Sequence, residues 1–169
     1  MQAKGEFALL KQNLTIAQDK PGQPVKRGTM AHDHHLYMLL ADTAAQRRDA
    51  NALRQYTPRL EELAIRDGHQ LYLGIAHRAW GVAHRLAGEH AEAGARLNQA
   101  LGLFSELSTR WQLGRTQFDL GDLDLARGDK ASARDHLLLA LEAFEAMKAM
   151  PDVERTRAAL ETFTIADDK

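Results

Sequence analysis

The stretch RGDKASARDHLLLALEAF occupies residues 127–144, and forty residues earlier, at 87–104, the chain reads AGEHAEAGARLNQALGLF. Sliding the sequence against itself by forty extends the match without a gap. Leu73 and Gly74 fall on Leu113 and Gly114, Gly81 on Gly121, Gly88 on Gly128 and Ala93 on Ala133. Leu97 falls on Leu137, Ala100 on Ala140 and Phe104 on Phe144. Self-similarity at a fixed period of this size marks stacked supersecondary units, none of which buries its apolar face alone.

Each unit reads as two helices. Ala133, Leu137, Ala140, Leu141 and Phe144 fall at i, i+4, i+7, i+8 and i+11, one apolar stripe on a helix. Gly88 and Gly128 stand at the breaks, where a helix C-terminus favours a residue tolerant of positive φ. The pattern predicts helices near 71–87, 91–107, 111–127 and 130–148. Gly81 and Gly121 lie inside helices, where glycine costs about 1 kcal/mol against alanine. They are expected to let the paired helices approach closely, seated against Ala93 and Ala133. A weaker unit precedes these, with Leu40-Ala41 at the matching positions and Arg47 to Asn51 replacing the glycine turn. Thr57-Pro58 is expected to interrupt its second helix. After the last unit, Pro151 and Asp152 suit a helix first turn, and Val153, Leu160 and Phe163 are expected to cover the end of the stack.

Composition agrees with an all-α fold. Good helix formers dominate and only four prolines occur in 169 residues, enough chain for one domain with a sizeable core. The net charge of −1 gives no strong pull on nucleic acid or an anionic membrane. The absence of cysteine excludes disulfides, thiolate zinc sites and a cysteine nucleophile. No stretch reaches the roughly eighteen consecutive apolar residues of a spanning helix, and the N-terminus has no apolar core or cleavage site of a secretory signal. A cytoplasmic protein is expected.

With glycine at the eighth position of its pattern placed on Gly121, the chain resembles the tetratricopeptide family. Leu120, Gly128, Ala133, Leu137 and Ala140 take the further positions, as Trp80, Gly81, Gly88, Ala93, Leu97 and Ala100 do one unit earlier. His77 and Gln117 stand where the family has tryptophan, its tyrosines and closing proline are absent, and the period is forty, against about thirty-four. The resemblance covers residues 71–144. More loosely, DVERTRAALE after a long-period repeat resembles the helical C-terminal regions of bacterial LuxR-type and cyclase-linked ATPase regulators, which implies a signalling role. The expected fold is an all-α solenoid of antiparallel helix pairs, seven helices over residues 30–163 in a right-handed superhelical stack. Its repeat domain spans 30–165, with units at 31–68, 69–108 and 109–149 and a capping helix at 151–164.

Family resemblance also implies where a partner binds, since first helices of successive repeats line a concave groove. Carried over position by position, the groove takes His35, Met38 and Asp42 from the first unit, with Leu39, Ala45 and Gln46 beside them. The second supplies Arg78, Val82, Arg85 and Leu86, and the third Arg115, Phe118, Asp119, Asp122 and Leu125. The lysine–asparagine carboxylate clamp of chaperone-tail binders is missing. Arg78, Arg85 and Arg115 are expected to meet an acidic protein or peptide, with Phe118 as an apolar anchor; the competing expectation is a solvated charged face with Phe118 in the core.

No catalytic constellation emerges. His32, Asp33, His34 and His35 cluster, and His32 with His35 share a helical face that could hold a metal, although such segments are ordinary solvated helix starts. His77 and His84 share a face without a carboxylate at zinc-protease spacing, and read as hydrogen-bonded packing residues. The glycines sit singly, without a phosphate loop, and no serine has a nucleophile-elbow setting. No enzyme activity and no cofactor are expected. A non-catalytic interaction module is the first reading, a sensor of a small effector in the groove the second, and a metal protein or enzyme the third. Residues 1–29 form a separate segment. Phe7, Leu10, Leu14 and Ala17 predict an amphipathic helix, and PGQPVKRGTM a linker. That helix is expected to dock on the first repeat of its own chain or of a second copy, the latter giving a homodimer.

Overall fold

Helix-forming segments separated by two or three residues leave neighbouring helices no option but to pack antiparallel. The computed structural model, which describes residues 30–167, contains seven such helices in that span. They are α1 (Met30–Arg47), α2 (Ala50–Arg66), α3 (Gln70–Leu86), α4 (His90–Glu106), α5 (Arg110–Arg127), α6 (Lys130–Ala146) and α7 (Met150–Asp167). Each packs on the next, while α1 also lies on α3 and α3 on α5, so α1, α3 and α5 form one continuous face. The expected amphipathic helix and linker of residues 1–29 lie outside the described residues.

The turns repeat at half the sequence period. Arg48, Gly68, Gly88, Ser108, Gly128 and Lys148, spaced by twenty, all adopt positive φ, from 54° to 82°. After each, an amide reaches back five residues to close the helix: Asp49 to the Ala44 carbonyl, His69 to Ala64, Glu89 to His84, Thr109 to Phe104, Asp129 to Asp124 and Ala149 to Phe144. This is the Schellman arrangement that satisfies last-turn carbonyls. Asp49 and Asp129 additionally cap the following helices, accepting from the Ala52 and Ser132 amides at 3.0 and 3.1 Å.

Three apolar clusters fill the stack. Leu40, Leu53, Tyr56, Leu60, Ile75, Val82 and Phe104 join the first two units. Ala93, Leu97, Leu120 and Leu123 join α4 to α5, and Leu137, Phe144, Phe118 and Val153 join the third unit to α7. Close approach at the glycines holds, with a different seat from the one expected. A Cβ at Gly81 would stand 2.5 Å from Leu97 Cγ, and one at Gly121 2.9 Å from Leu137 Cγ; Ala93 and Ala133 contribute only their carbonyl oxygens, at 3.3 Å. Where α3 and α5 place Gly74 and Gly81 or Gly114 and Gly121, α7 carries the exposed Glu154 and Glu161. That face of α7 cannot seat a helix at the same close distance.

Thr57-Pro58 does not interrupt α2, which runs unbroken from Ala50 to Arg66. Pro58 and Arg54, whose carbonyl loses its helical donor, both lie on the exposed side, while Leu53, Tyr56, Leu60 and Leu63 are buried on the other. The roughly 3 kcal/mol penalty of an interior proline is offset by that packing.

Candidate functional site

The face built by α1, α3 and α5 carries Asp42, Arg78, Arg85, Arg115, Asp119 and Asp122, which the family resemblance assigned to a groove. Asp42, 9% exposed, sits at its centre. It accepts from Arg78 Nη2, from Arg115 Nη1 with both oxygens at 3.0 and 2.8 Å, and from Gln46 Nε2 at 3.0 Å. Arg48 extends from the first turn to the third unit, donating Nη1 to Asp119 at 2.8 Å and Nη2 to Asp122 at 2.5 Å. Arg85 flanks the same Asp122 carboxylate at 3.8 Å. A single ion-pair network thus joins α1 to α5 across α3.

Its charges are displaced as burial and partners dictate. Burial alone would raise Asp42, but Arg78 and Arg115 more than reverse this and hold the carboxyl below its ordinary value. At Asp122 burial wins over Arg48, and the carboxyl is raised. Burial, reinforced by Arg115, brings Arg78 down to about 10 against the pull of Asp42 and Asp119, which still leaves it charged at neutral pH. Arg48 is raised, because Asp119 and Asp122 overcome its burial.

Two residues expected as open contacts are closed. Phe118 is 6% exposed and packs on Leu137, Phe144 and Val153, with the Arg155 guanidinium 4.3 Å above its ring. It is a core residue and not an open anchor. Arg78 is 1% exposed, and the acid it was expected to find in a partner is Asp42 of its own chain. Val82 is likewise core, Met38 is half-buried against the same apolar cluster, and His35 is exposed. Arg85 and Asp122 remain half-exposed, while Arg115 and Asp119 are buried in the network.

Periodicity alone did not single out Arg48, Arg155, Trp111 or Asp152. The one available signal was for Arg155, which lies forty residues after Arg115; Arg48 falls on Gly88 and had none. Trp111 is 42% exposed, its indole N–H donated to Asp152 at 3.2 Å and its ring 4.5 Å from the Arg115 guanidinium carbon. Arg155 is 3.2 Å from the same Asp152. Arg48, Arg115, Arg155, Asp119, Gln46 and Ala45 line a small polar pocket.

The histidines take separate partners. His34 is buried with Nε2 2.6 Å from Asp67, while its neighbour His35 points to solvent. His77 accepts from Arg96 at 2.9 Å, its ring held neutral by burial and by that guanidinium, and His84 bonds Glu89 at 2.5 Å. Among the described residues no three His, Asp or Glu side chains stand close enough to share a metal ion, and no helix there is long and apolar enough to cross a membrane.

Residues 72–146 match the family model of the tetratricopeptide repeat. No curated protein and no solved structure matches the chain. Helix pairs on a fixed period, tight glycine seats between them and a continuous face of first helices accompany that match, and α3 to α6 are therefore similar to tetratricopeptide repeats.

Proposed function

We propose that the chain is a non-catalytic scaffold whose α1–α3–α5 face receives a protein or peptide segment. One observation carries this reading. Around the buried, internally paired floor, Leu39, Leu86, Leu125 and Trp111 remain between 36% and 42% exposed. A rigid polar floor ringed by half-exposed apolar side chains offers contact area at little cost in side-chain ordering, and tryptophan and arginine are over-represented among residues that dominate interfaces. The polar pocket on this face has room for about one water, far below the few hundred Å³ of small-molecule sites, so this pocket by itself does not hold a small effector. The looser resemblance to bacterial regulators adds a signalling context, and the segment before Met30 adds a route to a homodimer. Both rest on sequence alone.

Cross-linking mass spectrometry of the full chain with proteins it captures tests the reading. Cross-links should fall on α1, α3 and α5, and Leu86→Glu with Leu125→Glu should abolish capture while helical circular dichroism is unchanged. Cross-links confined to α2, α4 and α6, or capture indifferent to both substitutions, would overturn it.

A further inference from the structure

Cations outnumber anions on the floor of this face. Arg48, Arg78, Arg85, Arg115 and Arg155 are opposed by Asp42, Asp119, Asp122 and Asp152. The imbalance concentrates at the polar pocket, where Arg48, Arg115 and Arg155 converge and only Asp119 among the lining residues is acidic. One donor on a lining residue is also left over: Arg155 Nε has no hydrogen-bond partner, on a side chain that is 39% exposed. An unmade hydrogen bond of a charged group is costly where water is excluded, so Arg155 favours an additional acceptor at the pocket that it lines. One wall of the pocket is shared with an aromatic surface, because Arg115 both lines it and lies against the half-exposed ring of Trp111. Asp152 fixes that ring through its indole N–H.

We propose that the pocket is an anion subsite. It takes one carboxylate oxygen from an acidic side chain of the partner segment, while Trp111 receives the apolar residue beside it. A space of about 10 Å³ admits a single oxygen, and the neighbouring Asp119 opposes a dianion more strongly than a monoanion. The second point favours a carboxylate over a phosphate. The incoming charge brings the floor to balance. Only the source of the carboxylate rests on the scaffold reading; the subsite itself does not.

The test uses the full ¹⁵N-labelled chain and the indole N–H resonances of its two tryptophans. Trp80, bonded to Glu61 at 2.8 Å, serves as the internal control. Sodium chloride, acetate, phosphate and acetyl-Glu-Phe-amide are titrated at matched ionic strength. The peptide should shift the Trp111 signal saturably and leave that of Trp80 in place, acetate should compete, and Arg155→Gln should weaken the peptide roughly tenfold, as loss of one charged hydrogen bond does. Arg155→Lys should recover part of the affinity. A Trp111 response no larger than that to chloride, or an equal response in Arg155→Gln, overturns the subsite; phosphate binding more tightly than acetate overturns its assignment to a carboxylate. Should Arg155→Gln fail to fold, acetate competition in the unmodified chain decides. Capture of a partner on the inner face that is unchanged in Arg155→Gln would remove the subsite and leave the scaffold standing.

Discussion

Asp42 takes donors from Arg78, Arg115 and Gln46 while barely open to water. Removing its charge strands two buried guanidiniums, so Asp42→Asn should cost about 3–5 kcal/mol in urea unfolding. The loss depends on pH. The folded-state pKa lies below the unfolded value of about 3.9. The contribution is therefore complete above that value and disappears as pH falls through the folded one. The gap between the natural chain and Asp42→Asn should be widest near neutrality and close below about pH 4. Asp122 works in the opposite sense. Its raised pKa means that its ionised form opposes folding and is relieved on acidification, so the acid limb of the natural chain is shallower than Asp42 alone would give. The family resemblance implied that Asp42, Arg78, Arg115, Asp119 and Asp122 line one groove. It did not show that they pair with one another. That depends on how far arginines reach between helices seventy residues apart in the chain, which no periodicity records.

At the scale of the helix, glycines with the same propensity penalty have opposite roles. Gly81 in α3 has Leu97 Cγ 2.5 Å from the position of a Cβ, whereas Gly102 in α4 has nothing within 4 Å. Gly81→Ala should lose about 1–3 kcal/mol to overpacking, more than the roughly 1 kcal/mol it gains in helix propensity. Gly102→Ala keeps that gain and should stabilise by about 0.5–1 kcal/mol. Thermal unfolding of the two variants should move in opposite directions. Helix number, order and approximate bounds were legible because the apolar stripes and the gapless repeat agree. The twenty-residue cadence of left-handed turns was not, since Arg48, Ser108 and Lys148 stand where glycine would have announced them. Pro58 misled for a related reason: the exposure that makes it tolerable within α2 belongs to the packed molecule and not to the local sequence.

Across the whole molecule, contacts go beyond nearest neighbours. In a simple solenoid each unit touches only the adjacent ones. Here Arg48 with Asp119 and Asp122, and Asp42 with Arg115, connect the first unit directly to the third. Arg48→Gln should cost about 1.5–3 kcal/mol, the range for charged hydrogen bonds, and should lower amide-exchange protection in α1 and α5 together. Lys148→Gly relieves the same left-handed backbone at an exposed turn, and should be neutral or stabilise by up to about 1 kcal/mol with no coupled loss in α1. Hydrogen exchange in which α1 and α5 respond independently would show that the bridge does not couple them.

The Arg48 bridge also gives the molecule a mechanical character. It runs as a tie-rod from the first turn to the fifth helix, so drawing the first unit away from the third loads it. Ionic hydrogen bonds give way within about an ångström of extension, whereas apolar seams between helices slide and re-form. Such a spring is stiff for the smallest stretches, parts abruptly, and is compliant afterwards.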